Sequence, residues 1–126
     1  MGDSPTTRSL DRLRKRGWTP GIVERRCGKF VTVDLFGFAD ILAMKHGETP
    51  VLIQTTTGSN LAARRTKIYA SDLAADALQS GFRIVLHGWR QLQVKRGGKA
   101  KVWTVKEEEV TLGQVMAARA ALGATA

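Results

Sequence analysis

Four residues stand out for the chemistry their side chains offer: Asp34, Asp40, Gln54 and Thr56. Asp40 interrupts an apolar run from Phe38 to Met44, and a lone carboxylate in such a run is costly to bury unless something satisfies it. Backbone hydrogen bonds at a bulge would do so, and so would a place in a functional site. Val51 to Thr56 reads as a strand whose two-residue period puts Val51, Ile53 and Thr55 on one face and Leu52, Gln54 and Thr56 on the other. Gln54 and Thr56 therefore point the same way, as a functional pair or as an ordinary polar strand face. Further on, Asn60, Arg64, Lys67 and Ser71 share one helical face near a helix N-terminus, with Ser59 beside them. Free amides and the helix dipole favour an anion such as phosphate there, and a solvated face is the plain alternative. Arg96, Lys99 and Lys101 gather around the Gly97–Gly98 pair, which permits close backbone approach to a duplex or simply keeps a turn soluble.

These residues need elements to position them. Ser4 as cap, Pro5 at the first helical position and Gly17 as a stop predict a helix over residues 4 to 16, with Leu10 and Leu13 as its core face. Arg12, Lys15 and Arg16 crowd its other side, either as a solvated basic face or as an edge that meets phosphate. From Ile22 to Met44 the chain reads as strands broken at Cys27 to Lys29 and at Gly37, followed by a turn at His46 to Pro50. After the strand at Val51, Ser59 or Asn60 caps one long helix from about Leu61 to Gln79, with Ala70, Leu73, Ala74, Ala77 and Leu78 as its buried stripe. Phe82 to Lys95 and a partner through Val102, Trp103 and Val105 form a hairpin. Thr111 and Gln114 have capping-box spacing and announce a last helix that ends at Gly123, with Glu107, Glu108 and Glu109 just before it to complement its dipole. This order predicts an α/β fold: a central mixed sheet of about five strands flanked by helices, in one domain over residues 1–126.

Composition narrows the function classes. The 126 residues carry 20 Lys plus Arg against 11 Asp plus Glu, a net charge of +9, which draws polyanions and makes nucleic acid the leading partner. Neither a membrane span nor a signal peptide is visible, so the expected location is cytoplasmic. A single cysteine, Cys27, excludes an internal disulfide, and with two histidines it cannot fill a zinc-finger site. His46 and His87 fall on separate elements and read as surface or packed side chains; no histidine is spaced to activate Cys27. Trp18, Trp89 and Trp103 read as core or edge packing ahead of base stacking.

The stretch DLFGFADILA from Asp34 to Ala43, LIQTTTGSN from Leu52 to Asn60, and the helix bearing Arg64 and Lys67 together resemble the PD-(D/E)XK nuclease superfamily. The likeness is to its small Holliday-junction-resolvase-like and phage-type members and spans about residues 9 to 105. It implies a restriction-endonuclease-like core and hydrolysis of DNA phosphodiester bonds with Mg²⁺ or Mn²⁺, in branched structures such as Holliday junctions among others. Asp40 matches the acid that ends one strand, Gln54 the acid of the next, and Thr56 the lysine two residues on. Gln54 offers a neutral carbonyl where the usual ligand is a carboxylate, and Thr56 offers no cation. The resemblance then implies catalytic roles for Asp40, Gln54, Thr56 and Lys67, with Lys67 in the absent lysine's place. It implies metal ligation by Asp40 and Gln54, with Asp34 and Glu24 as compensating acids, and a homodimer, for which the last helix supplies a pairing face. Two other classes stay open: a DNA-binding module that has lost catalysis, and a phage accessory protein acting through protein contacts.

Overall fold

The computed structural model describes residues 4–124, with side chains described to residue 122. Helix α1 (Pro5–Lys15) opens the chain, held by the Ser4 hydroxyl, which accepts from the Thr7 amide, and stopped at Gly17 with φ 86°. Strands β1 (Thr19–Ile22), β2 (Arg25–Arg26), β3 (Thr32–Val33), β4 (Ile41–Met44) and β5 (Val51–Thr57) follow. A single 3₁₀ turn (Gly58–Asn60) leads into α2 (Leu61–Tyr69) and α3 (Asp72–Gln79). Strands β6 (Arg83–Gln93) and β7 (Lys101–Val110) and helix α4 (Leu112–Ala124) complete the fold.

The protein is α/β, with a five-stranded mixed sheet in the order β1-β4-β5-β6-β7. Only β5 and β6 run parallel, and the chain between them crosses the sheet as α2 and α3. A separate ribbon pairs β2 with β3, joined through a turn at Gly28 with φ 83°. Two apolar layers cover the sheet. Leu10 and Leu13 of α1 pack on Ile41, Ala43, Val51, Ile53 and Val85, while α2, α3 and α4 cover Leu52, Ile84 and Leu86 on the opposite face. The predicted alternation along β5 is realised, with Ile53 in one layer and Leu52 in the other. No helix among the described residues is long and apolar enough to cross a membrane.

Several expectations are corrected. The single helix over 61–79 is two helices, because the Ser71 side chain accepts from the Ala74 amide and caps a new start. That break shifts the phase, so Ala70 and Leu73 are exposed while Ala74, Ala75 and Ala77 are buried, and Ser71 leaves the basic face. Neither Ser59 nor Asn60 caps α2 with its side chain; both belong to the 3₁₀ turn. Thr19-Pro20-Gly21, which lies before the stretch from Ile22 read as strands, belongs to the edge strand β1, where Pro costs no interior ladder bond. Glu107, Glu108 and Glu109 stand just before α4 as expected, but they lie in β7, where each has an arginine partner. There Glu107 pairs with Arg12 of α1, Glu108 with Arg65 of α2 at 2.6 Å, and Glu109 with Arg83 of β6 at 2.6 Å. The capping box forms as expected, with Thr111 and Gln114 exchanging side chain to amide bonds of 2.9 and 3.2 Å. Helix α4 runs one residue beyond Gly123.

One buried polar chain ties α1 to the sheet. The Trp89 indole donates to Ser9 Oγ at 2.8 Å, and Ser9 lies 2.8 Å from His87 Nδ1. Both bonds are satisfied when Ser9 donates to Nδ1, which leaves the ring proton on Nε2, 3.9 Å from Glu107. Burial, with Arg12 and Arg16 nearby, pushes the His87 pKa down to about 4 despite Glu107, so the ring is neutral at pH 7. Ser9→Ala removes the shared hydroxyl and strands two buried polar groups, so it is expected to cost about 2 kcal/mol in urea denaturation at pH 7. An unchanged midpoint would show that the chain of bonds contributes nothing to the docking of α1.

Candidate metal centre

The register of the small ribbon sets up the site. Arg25 pairs with Val33 and Arg26 with Thr32, so the next residues outward, Glu24 and Asp34, face one another at the base of the ribbon. Asp40 sits one residue before β4, held by its own amide bonding the Ile53 carbonyl at 2.9 Å and its carbonyl accepting from Val23 at 2.9 Å. Between Asp34 and Asp40 the chain reverses through Phe36 and Gly37, both at positive φ (58° and 82°), and closes on a Leu35–Ala39 bridge. These turns bring one carboxylate oxygen from each of Glu24, Asp34 and Asp40 within 4.8 Å of one another.

The three acids line a cleft of about 410 Å³, together with Thr6, Gln54, Thr55, Arg64 and Lys67. Asp40 is 5% exposed. Its Oδ2 accepts from the Thr55 amide at 2.8 Å and from the Thr55 hydroxyl at 3.3 Å, and that hydroxyl lies 2.9 Å from Thr6 of α1. Burial raises the Asp40 pKa to about 7, helped by hydrogen bonding with and repulsion from Asp34 and by Glu24, and opposed by the Thr55 amide. Gln54 is 1% exposed, and its Oε1 is a buried side-chain oxygen with no hydrogen-bond partner among the described residues. The donor chemistry fits a hard divalent ion: three carboxylate oxygens lie within 4.8 Å of one another, and Gln54 lines the same cleft. The donor set is all oxygen, which suits Mg²⁺ or Mn²⁺ and not a thiolate-bound metal.

Glu24, Asp34, Asp40, Gln54, Arg64 and Lys67 thus line one cleft. Thr56 is not on the cleft wall: it is buried opposite Gly88 of β6, and the residue that touches Asp40 is its neighbour Thr55. Ser59, Asn60, Arg96 and Lys99 are exposed but do not line this cleft. Arg12, Lys15 and Arg16 line a different depression on the other side of α1. Sequence reasoning missed Thr6 and Thr55, and the one available signal was a polar residue at position 55 on the face otherwise given to Val51 and Ile53.

The raised pKa of Asp40 ties stability to pH. The unfolded carboxyl ionises near 3.8 and the folded one near 7, so the stability Asp40 contributes is full below the first value and is lost as pH rises through the second. In EDTA, Asp40→Asn is therefore expected to be more stable than the natural chain at pH 8 by roughly 2 to 4 kcal/mol, with the gap closing toward pH 4. Urea denaturation of both proteins across that range measures it, and a gap that does not vary with pH would mean that Asp40 is ionised throughout. No family model, curated protein or solved structure matches this chain.

Proposed function

We propose that this chain is a metal-dependent nuclease that hydrolyses phosphodiester bonds in DNA, with branched DNA such as a four-way junction within its range. The observation that supports it most is the clustering of Glu24, Asp34 and Asp40 oxygens within 4.8 Å of one another, in a cleft that Gln54, Arg64 and Lys67 also line. Asp40 and Gln54 would hold Mg²⁺ or Mn²⁺ directly, with Asp34 and Glu24 supplying the charge that Gln54 lacks. A cation so held supplies Lewis acidity toward a phosphoryl oxygen and eases ionisation of the attacking water. Lys67 and Arg64, one turn apart on α2, face the acids and offset the charge that develops on the phosphate. Thr55 keeps the Asp40 carboxylate aimed into the cleft. The net charge of +9 suits a polyanionic substrate. The same reading takes the protein to be a cytoplasmic homodimer that uses the outer face of α4, where Met116 is exposed and Val115 is committed to the core.

The test is cleavage of a labelled four-way junction and a matched linear duplex with Mg²⁺ or Mn²⁺. Cutting is expected with metal and not with EDTA, abolished in Asp40→Ala and reduced roughly 10²- to 10³-fold in Lys67→Ala. Absence of cutting together with salt-sensitive DNA binding would replace this reading with a binding module that has no catalysis.

A further inference from the structure

A second depression, about 630 Å³, lies between α1 and the β6–β7 hairpin, away from the acids. Arg8, Arg12 and Lys15 recur on one helical stripe of α1 and line it, joined by Arg16 and, from the hairpin, by Trp89 and Trp103. Asp11 is the one acid on its wall. Arg12 is taken by Glu107, but no carboxylate among the described residues pairs with Lys15 or Arg16. Trp103 lies on the edge strand β7, 41% exposed, with the Arg8 guanidinium 3.6 Å above its ring. A large aromatic on an edge strand, outside both core layers and covered on one face by a flat cation, forms a layered guanidinium–indole platform on which a base can stack.

We infer that this groove binds a single-stranded segment of nucleic acid, with Lys15 and Arg16 on its phosphates and Trp103 with Arg8 stacked on a base. A duplex offers its phosphates to the same cations but keeps its bases paired, so the tryptophan selects the unpaired strand. Inorganic phosphate and sulfate have charge to offer but no ring to stack. The location adds a direction. Pro5 and Thr6 at the start of α1 line the acidic cleft, and Arg16 lies about 15 Å further along the helix axis, so one helix borders both sites. On the nuclease reading, on which only this directional point rests, the groove receives the unpaired arm next to the bond being cut.

Binding is measured by anisotropy of a short dye-labelled oligothymidylate and of a matched duplex, in EDTA so that no hydrolysis intervenes. The single strand is expected to bind more tightly than the duplex. Trp103→Ala should weaken the single strand roughly 5- to 100-fold and leave the duplex within about twofold, with Trp103→Phe restoring much of the loss. Lys15→Glu with Arg16→Glu should weaken both and flatten the salt dependence. Equal affinity for the two forms, or single-strand binding indifferent to Trp103→Ala in a variant with unchanged melting temperature, would overturn the assignment. Should the chain cut nothing yet bind single strands through Trp103, the nuclease reading fails and the groove stands; cutting without any effect of Trp103 on single-strand binding gives the reverse.

Discussion

The arrangement of this protein depends on the parallel pairing of β5 and β6. Two parallel strands cannot be joined by a tight turn, so the chain leaving Thr57 must climb over the sheet before it re-enters at Arg83. That crossover is α2 and α3. It begins where β5 ends, and this brings Arg64 and Lys67 beside Gln54 and Thr55, whereas an antiparallel neighbour would have sent the chain straight back. The fit is close: a side chain at Gly88 of β6 would sit 3.1 Å from Leu61, so α2 packs on bare backbone at that point. The acids reach the same cleft from the other edge, through β1, β4 and the small ribbon. Cations and carboxylates thus approach one place from opposite sides of β5.

How much of this was legible depends on where the decisive interaction lies. Helix α1, strand β5, the β6–β7 hairpin and the start of α4 are specified by local features: a capping serine, a two-residue alternation, a glycine pair, a capping box. The break at Ser71 is also local, but a serine inside an apolar helical pattern reads equally as a surface residue. The β1 strand was hidden because Pro20 and Gly21 favour turns, and only pairing with β4 holds them extended. The run of three glutamates misleads for the same kind of reason. Its members alternate across β7 to reach arginines on α1, α2 and β6, partners that are 95, 43 and 26 residues away in sequence. In the cleft, side chains could be guessed from residue type, but the substitution of Thr55 for Thr56 at Asp40 turns on a backbone amide that no residue type announces.

Two buried titratable groups, His87 in β6 and Asp40 just before β4, pull stability in opposite directions with pH. His87 is held neutral below its ordinary pKa and Asp40 is held protonated above its own. The stability His87 contributes is present above about pH 6.5 and lost as pH falls toward 4, while that of Asp40 is lost as pH rises from about 4 to 7. Their slopes have opposite sign over much of the same range, so the whole protein is less sensitive to pH than either site alone. A divalent cation would take the place of the Asp40 proton, and its binding would release a proton to solvent and leave His87 as the dominant slope.

The ribbon of β2 and β3 has a mechanical meaning beyond its two short pairs. Glu24 and Asp34 are the two ends of one arm, and at its far end Phe30 is 95% exposed, flanked by Lys29 and Val31. On the proposed metal reading, an ion shared by the two carboxylates would fix the root of that arm. On that reading the ion would stiffen the arm that carries the aromatic tip.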